Sequence, residues 1–316
     1  MQTSKYRNRL PQLGRALFAT DGGIETTLIF HDGIALPYFA AFDLLKTEAG
    51  TKVLRRYFEK YARLARHHGM GLVLESATWR ASADWGLKLG YDAAALADAN
   101  RRSIGLLLEI RKAFESAATP MVISGAIGPR GDGYVADTRM STAQARDYHR
   151  TQIETLAGTD ADMVAAFTMN YIEEAIGIVL AARDAAMPVA ISFTLETDGR
   201  LPSGDTLEQA IARTDGDTDG YAAYYMINCA HPTHFRHVLE GGGAWVQRIR
   251  GLRANASRRS HAELNDSSDL DAGDPQALGG EYRELQALLP KLAVVGGCCG
   301  TDDRHVDALC HALKAA

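Results

Sequence analysis

The sequence predicts an α/β fold, a single (β/α)8 TIM-type barrel spanning residues 1–316. Three observations lead there. Short apolar or β-branched runs alternate about eight times with stretches of helical periodicity, the pattern of parallel strands joined by crossover helices. The runs are apolar nearly throughout, as strands are when helices cover one face and a barrel core fills the other. Each run ends in a turn rich in Gly, Ser, Asn or Cys, and eight such units fit a closed barrel better than an open doubly wound sheet.

The first run, "LFATDGG" from Leu17, continues into "TDGGIETT". That turn lacks the GxGxxG signature of an open nucleotide-binding sheet, and no GxxxxGK[ST] occurs anywhere. A helical pattern over 48–68 leads to the second strand, "GLVLES" from Gly71. Helical patterns over 93–117, 142–157 and 173–186 precede the strands "PMVISGAIG" from Pro120, "DMVAAFT" from Asp162 and "PVAISFTLE" from Pro188. "AYYMINC" from Ala223 reads as the sixth strand and "AWVQRIRG" from Ala244 as the seventh. The polar stretch 253–275 then reads as a long βα loop with some helix, on the face where barrels carry function. A last strong helical pattern, 276–289, precedes the eighth strand, "LAVVGGCCG" from Leu292.

Apolar residues at 46% and charged residues at 23% describe a chain able to bury a sizeable core. A net charge of -5, from 34 basic and 39 acidic residues, argues against a nucleic-acid partner, which needs clustered positive charge. No run approaches the ~20 apolar residues that span a bilayer, and the opening "MQTSKYRNRLPQLGRALFAT" has no sustained apolar stretch. The expectation is a cytoplasmic protein with no membrane partner. Its four cysteines are too few and too unevenly spaced for a secreted disulfide framework, so reduced thiols are expected.

On a barrel, Cys229 closes the sixth strand while Cys298 and Cys299 close the eighth, so three thiols share the C-terminal rim where barrel active sites lie. Three thiolates from two strand ends make a soft site for Zn²⁺, with Zn–S near ~2.3 Å and a fourth tetrahedral position left open for catalysis. The flanking Gly296, Gly297 and Gly300 permit the torsions that let adjacent cysteines face one ion. As an isolated pair, Cys298 and Cys299 read equally well as small residues in a crowded strand end; Cys229 at the matching rim favours metal. Cys310, inside the helical pattern "HVDALCHAL", reads as core.

Together "TDGGIETTL", "INCAHP" and "GGCCGT" resemble the homocysteine S-methyltransferase family, in order and over nearly the whole chain. The resemblance implies a barrel in which Cys229, Cys298 and Cys299 bind zinc and the thiol of homocysteine becomes the fourth ligand. It also implies that Asp21 and Gly22 hold the amino acid part of the substrate, Asp21 facing its ammonium. Asn228 would orient the loop or the substrate carboxylate, or serve as structural support behind the ligand. "ESATWRAS", with Thr78 and Trp79, and "SGAIGPRG", with Ser124, resemble rim segments of the family. Trp79 would either face a cationic methyl donor or pack at the rim. One position departs from the pattern: some relatives carry a glutamate at the end of the fourth strand for the homocysteine ammonium, where this chain has Phe167. Glu196, in "SFTLETDG", is the candidate replacement.

Other signals are set aside. "DGDTDG", 215–220, imitates the opening of an EF-hand loop, but the twelfth position is Met226, so a solvated turn is expected. His231, His234 and His237 read as surface or packing residues, and the arginines of 248–259 as part of a solvated mixed-charge loop. The expected function is methyl transfer from S-methylmethionine, S-adenosylmethionine or betaine to homocysteine, giving methionine. Two alternatives stand beside it. One is a methyltransferase acting on another small thiol or selenol, prompted by Phe167. The other is a non-catalytic zinc-stabilised sensor or scaffold, whose metal would be closed by a fourth protein ligand such as His231.

Overall fold

The computed structural model describes residues 4–266 and 269–314. Eight parallel strands close into a barrel in sequence order, the first pairing with the eighth. In chain order the elements are β1 (Phe18–Ala19), α1 (Glu48–His68), β2 (Gly71–Glu75), α2 (Ala83–Lys88), α3 (Ala93–Phe114) and β3 (Met121–Ile127). Then come α4 (Thr142–Ala157), β4 (Met163–Met169), α5 (Ile172–Asp184), β5 (Val189–Thr194), α6 (Leu207–Thr218) and β6 (Tyr224–Asn228). The chain ends with α7 (Pro232–Glu240), β7 (Ile249–Ala254), α8 (His261–Asn265), α9 (Pro275–Leu288), β8 (Val294–Gly297) and α10 (Asp303–Lys314). Among the described residues no helix is long and apolar enough to cross a membrane.

Local chemistry sets the helix ends. Ser141 and Thr206 begin α4 and α6 with reciprocal capping boxes to Gln144 and Gln209, satisfying backbone donors that a helix start leaves unpaired. Asp92 caps α3, and Gly69 ends α1 in the left-handed conformation at φ 59°. The helices press one apolar layer against the outside of the sheet. A second, smaller core of inward side chains, among them Phe18, Val73, Val122, Met163 and Tyr224, fills the barrel itself.

Two expectations are corrected. Residues 244–248 form a 3₁₀ turn, and β7 starts only at Ile249; Trp245 and Val246 are apolar because the turn buries these two side chains. "DGDTDG" is exposed at 216, 217, 219 and 220, as a solvated turn would be, but it is not a free-standing turn. The last turn of α6 runs through it, and Asp215 accepts hydrogen bonds from Tyr225 Oη and Arg248 Nε, each at 2.7 Å.

The segment before β1 plugs the N-terminal end of the barrel. Leu10 is buried in the inner core, Tyr6 N donates to Asp162 at 2.7 Å, and Arg7 donates to the carbonyls of Ala157, Thr159 and Ala161. Asp162 is in turn paired with Arg111 at 2.6 Å. With that end stoppered, access to the interior is from the C-terminal mouth.

Candidate metal and substrate site

The three cysteines meet at that mouth. Cys229 follows the last residue of β6, and Cys298 and Cys299 follow β8; their sulfurs lie within 4.8 Å of one another. Among the described residues this is the one group of three or more Cys, His, Asp or Glu close enough to hold a metal ion. Cys298 N donates to Ala254 O at 2.8 Å and Ala256 N to Cys299 O at 3.0 Å, so β7 fixes the vicinal pair. Cys229 sits in the left-handed region at φ 53°, a conformation that costs a non-glycine residue about 1 kcal/mol and turns its side chain toward the other two. Cys229 and Cys298 are joined as a disulfide and Cys299 is free, which corrects the expectation of reduced thiols at this pair. When that pair is reduced, the three sulfurs form a soft, closely grouped donor set that fits a thiophilic divalent ion.

The glycines around the pair act through space rather than torsion. Only Gly300 has a positive φ, 80°. A Cβ on Gly296 would lie 2.5 Å from Thr20 Cγ2 and 2.7 Å from Asp21 O, so β8 can approach β1 only with glycine there. Gly296→Ala is therefore expected to destabilise the protein by about 1–3 kcal/mol, read in urea unfolding. An unchanged midpoint would remove this account.

Beside the sulfurs lies a buried charge cluster. Arg253, on β7, pairs with Asp21 at 2.8 Å, both side chains at or below 10% exposure. Its guanidinium also donates to Gly297 O, Thr20 Oγ1 and Gly22 O at 3.1, 3.0 and 3.2 Å. Asp21 further accepts from Tyr57 Oη at 2.8 Å and Thr20 Oγ1 at 2.9 Å, so both its oxygens are engaged. Tyr282 of α9 donates to Gly296 O and accepts from Ala254 N, tying β7 to β8 behind the cysteines.

A cavity of about 420 Å³ opens over this floor, within the range of small-molecule sites. All three cysteines line it, with Asp21, Arg253, Asn228, Phe167, Glu25 and Glu75. Burial pushes the carboxyls of Glu25 and Glu75 up to about 7. Tyr134 hangs over the mouth, its hydroxyl 3.6 Å from Cys299 Sγ and its ring 4.1 Å from that of His261. Cys299 is the exposed member of the three cysteines.

The sequence profile described as Homocysteine S-methyltransferase matches residues 19–313. The chain belongs to the homocysteine S-methyltransferase family. Among its relatives is "Homocysteine S-methyltransferase 4" of Zea mays, 24% identical over 77% of this chain and 76% of that protein. The crystal structures of the homocysteine methyltransferase MmuM from Escherichia coli share the fold. The oxidized form superposes with a TM-score of 0.77 at 20% identity, covering 96% of this chain and 99% of that one. The metallated form gives 0.74 at 21%, covering 98% and 99%.

In this homocysteine S-methyltransferase barrel the sequence-derived residues separate into those that reach the cavity and those that brace it. Asp21, Trp79 and Asn228 line it beside the cysteines. Asn228 is clamped: Thr168 N and Ser192 Oγ donate to its Oδ1 at 3.0 and 2.6 Å, and its Nδ2 donates to Thr168 Oγ1 at 3.0 Å. Trp79 carries the Arg80 guanidinium 3.9 Å from its ring centre and donates to Phe167 O at 3.4 Å, so it is packed at the rim with one face taken. Gly22 contributes its carbonyl to Arg253 and Tyr57. Thr78 is buried outside the cavity, donating to Ala126 O at 2.7 Å and stapling β2 to β3. Ser124, on β3, is buried with its hydroxyl unpartnered, in register with Glu75. Glu196 is not among the cavity residues. It faces His261 Nδ1 at 3.1 Å, and His261 Nε2 hydrogen-bonds the Cys229 carbonyl.

The residues that sequence reasoning missed are Arg253, Glu75, Glu25, Tyr134 and Tyr282. Arg253 was hidden in a run of arginines read as solvated. The signal available for it was its place at the end of an apolar strand, where a charge must be paired.

Proposed function

We propose that the chain is a zinc-dependent S-methyltransferase of 1–316 as one homocysteine-binding-type barrel domain, working in the cytoplasm. It moves a methyl group from a small sulfonium or quaternary ammonium donor, such as S-methylmethionine, S-adenosylmethionine or betaine, to homocysteine, giving methionine. What carries the reading is the grouping of Cys229, Cys298 and Cys299 at the open mouth with no fourth Cys, His, Asp or Glu beside them among the described residues. Zinc held by these three sulfurs would keep an incoming thiol deprotonated near neutral pH and leave one tetrahedral position for it. His231, the candidate fourth ligand of a closed structural site, is occupied elsewhere. Its Nδ1 lies 2.8 Å from Thr233 Oγ1 and its Nε2 3.2 Å from Glu281 Oε2.

In the proposed step the acceptor sulfur forms a bond to the methyl carbon as the bond from that carbon to the donor's sulfur or nitrogen breaks. The donor keeps that electron pair and leaves neutral, and the acceptor's thiol proton passes to solvent. The chain's own residues supply position. Asn228, clamped by Thr168 and Ser192, holds the end of β6 beneath Cys229; His261, braced by Glu196, holds the Cys229 carbonyl. Asp21, Gly22 and Arg253 keep the mouth of β1 against β7 and β8. Thr78 and Ser124 support the wall, and Trp79 shields it from water. Phe167 favours a second reading, a different small thiol or selenol as acceptor, because an apolar ring stands where the family resemblance gives some relatives a glutamate.

X-ray absorption at the zinc edge, on reduced and metal-loaded protein, is expected to show one additional sulfur when homocysteine is added. A coordination shell that does not change would leave the scaffold reading standing instead. Turnover of homocysteine with the three donors, read as methionine, then identifies the donor; turnover confined to other thiols would transfer the reading to the second acceptor class.

A further inference from the structure

Phe167 leaves a question of charge. An amino acid substrate brings an ammonium group into a largely buried cavity, where an unpaired charge costs several kcal/mol. Two carboxylates named by sequence reasoning are not free to meet it. Asp21 has both oxygens engaged by Arg253, Thr20 and Tyr57, and Glu196 lies outside the cavity against His261.

Another cavity carboxylate keeps one oxygen without a hydrogen bond. Glu75 is the last residue of β2, 5% exposed, and lines the cavity together with the cysteines. Its Oε2 is fully buried with no hydrogen-bond partner. An unpartnered buried carboxylate oxygen is rare and costly in a folded protein. It is explained if the partner arrives with the ligand. An ammonium, which homocysteine shares with S-methylmethionine and S-adenosylmethionine but not with betaine, suits this oxygen better than a sulfonium or quaternary nitrogen does, because only the ammonium has N–H bonds to donate. Depth points the same way. Phe30 and Phe39, 52% and 55% exposed, line the outer part of the cavity, while Glu75 is buried at the end of β2 and meets only a ligand group that reaches the cavity floor.

We propose that Glu75 is the anionic contact for the ammonium group of the acceptor amino acid, taking on β2 the role that the residue at Phe167 cannot fill on β4. The inference rests on the methyl-transfer reading above. Phe167 then serves another purpose, since its ring lies 5.1 Å from the Arg253 guanidinium and covers the cation that holds Asp21. The carboxyl of Glu75 is pushed up to about 7 by burial, against the opposing pull of the Arg253 charge, so an arriving cation draws it into its charged form.

The test compares homocysteine with 4-mercaptobutyrate, the same thiol without its amino group, in wild type and Glu75→Gln. The wild type is expected to prefer homocysteine. In Glu75→Gln that preference in kcat/KM falls about 10–100-fold, the range of one charge-assisted hydrogen bond, while KM for the methyl donor stays within about twofold. Calorimetric binding of homocysteine to reduced, zinc-loaded protein weakens by a similar factor. The preference is a ratio within one protein, so partial loss of folded material does not move it. Glu196→Gln leaves the ratio unchanged. An unchanged ratio in Glu75→Gln, or a shift confined to the donor's KM, overturns the assignment and places the charge elsewhere. A wild type that methylates neither thiol overturns the acceptor reading itself, which is a different result.

Discussion

Cys298→Ser is expected to lose stoichiometric zinc and to drop methyl transfer by three decades or more, roughly 4 kcal/mol of transition-state stabilisation. The substitution exchanges one atom. Serine keeps the backbone bonds that fix this position, from Cys298 N to Ala254 O and from Thr301 Oγ1 to Cys298 O, so the turn itself should survive. What goes is the soft, ionisable donor: an alcohol stays protonated at neutral pH and is a poor partner for zinc among thiolates. Two sulfurs then remain where three were grouped within 4.8 Å. The readings are zinc per chain after dialysis, methionine formed, and the thermal midpoint of the metal-free protein under reducing conditions, where the Cys229–Cys298 bond is absent from both proteins and the midpoint should move little. Cys310→Ser is the control, since Cys310 is buried in α10, away from the cavity, and its loss should leave zinc content intact. A Cys298→Ser protein that keeps its zinc and turns over would take this cysteine out of the site.

The barrel and its three sulfurs were legible in the sequence because both depend on local pattern. Continuous apolar runs separated by helical periodicity leave few topologies, and a cysteine at the end of a strand must sit at the same rim as other strand ends. The seventh strand was misplaced because "AWV" is as apolar as a strand: periodicity reports burial, and a 3₁₀ turn can bury side chains too. The glycines flanking the cysteine pair were legible as necessary but for another reason. Their need arises from the approach of β1, nearly 280 residues earlier, which no local pattern carries. Arg253 and Glu75 escaped for the same cause. A charged residue shows its partner only in three dimensions, and a run such as "RIRGLRANASRR" looks solvated until β7 turns one of its arginines inward. Cys229 is a mixed case. Its role was legible, its left-handed backbone was not, because nothing in "INCAHP" demands φ 53°.

Arg253→Met should be the most destabilising single change near the mouth, by about 3–5 kcal/mol, the usual result of removing one partner of a buried ion pair. Methionine fills much of the same volume, so the loss is electrostatic. The Asp21 carboxylate would be left 6% exposed with only the hydroxyls of Thr20 and Tyr57 for partners, and three backbone or hydroxyl acceptors on β1 and β8 would lose their donor. For a chain of this length a loss of that size lowers Tm by about 5–8 °C if unfolding is two-state. The double variant Arg253→Met with Asp21→Asn separates charge from shape. Removing both charges leaves no uncompensated ion, so the double variant should be less destabilised than the sum of the two single ones, by about 1–3 kcal/mol. Strict additivity would mean that the pair does not interact across its 2.8 Å contact, and that Arg253 acts through its hydrogen bonds to Gly297, Thr20 and Gly22 instead. The same variant bears on function through geometry. Gly297 O, which Arg253 holds at 3.1 Å, immediately precedes Cys298, so a mouth that loosens when the guanidinium is removed should also release zinc faster to a chelator. An unchanged release rate in a clearly destabilised Arg253→Met protein would show that the cysteine turn is positioned independently of the charge cluster beneath it.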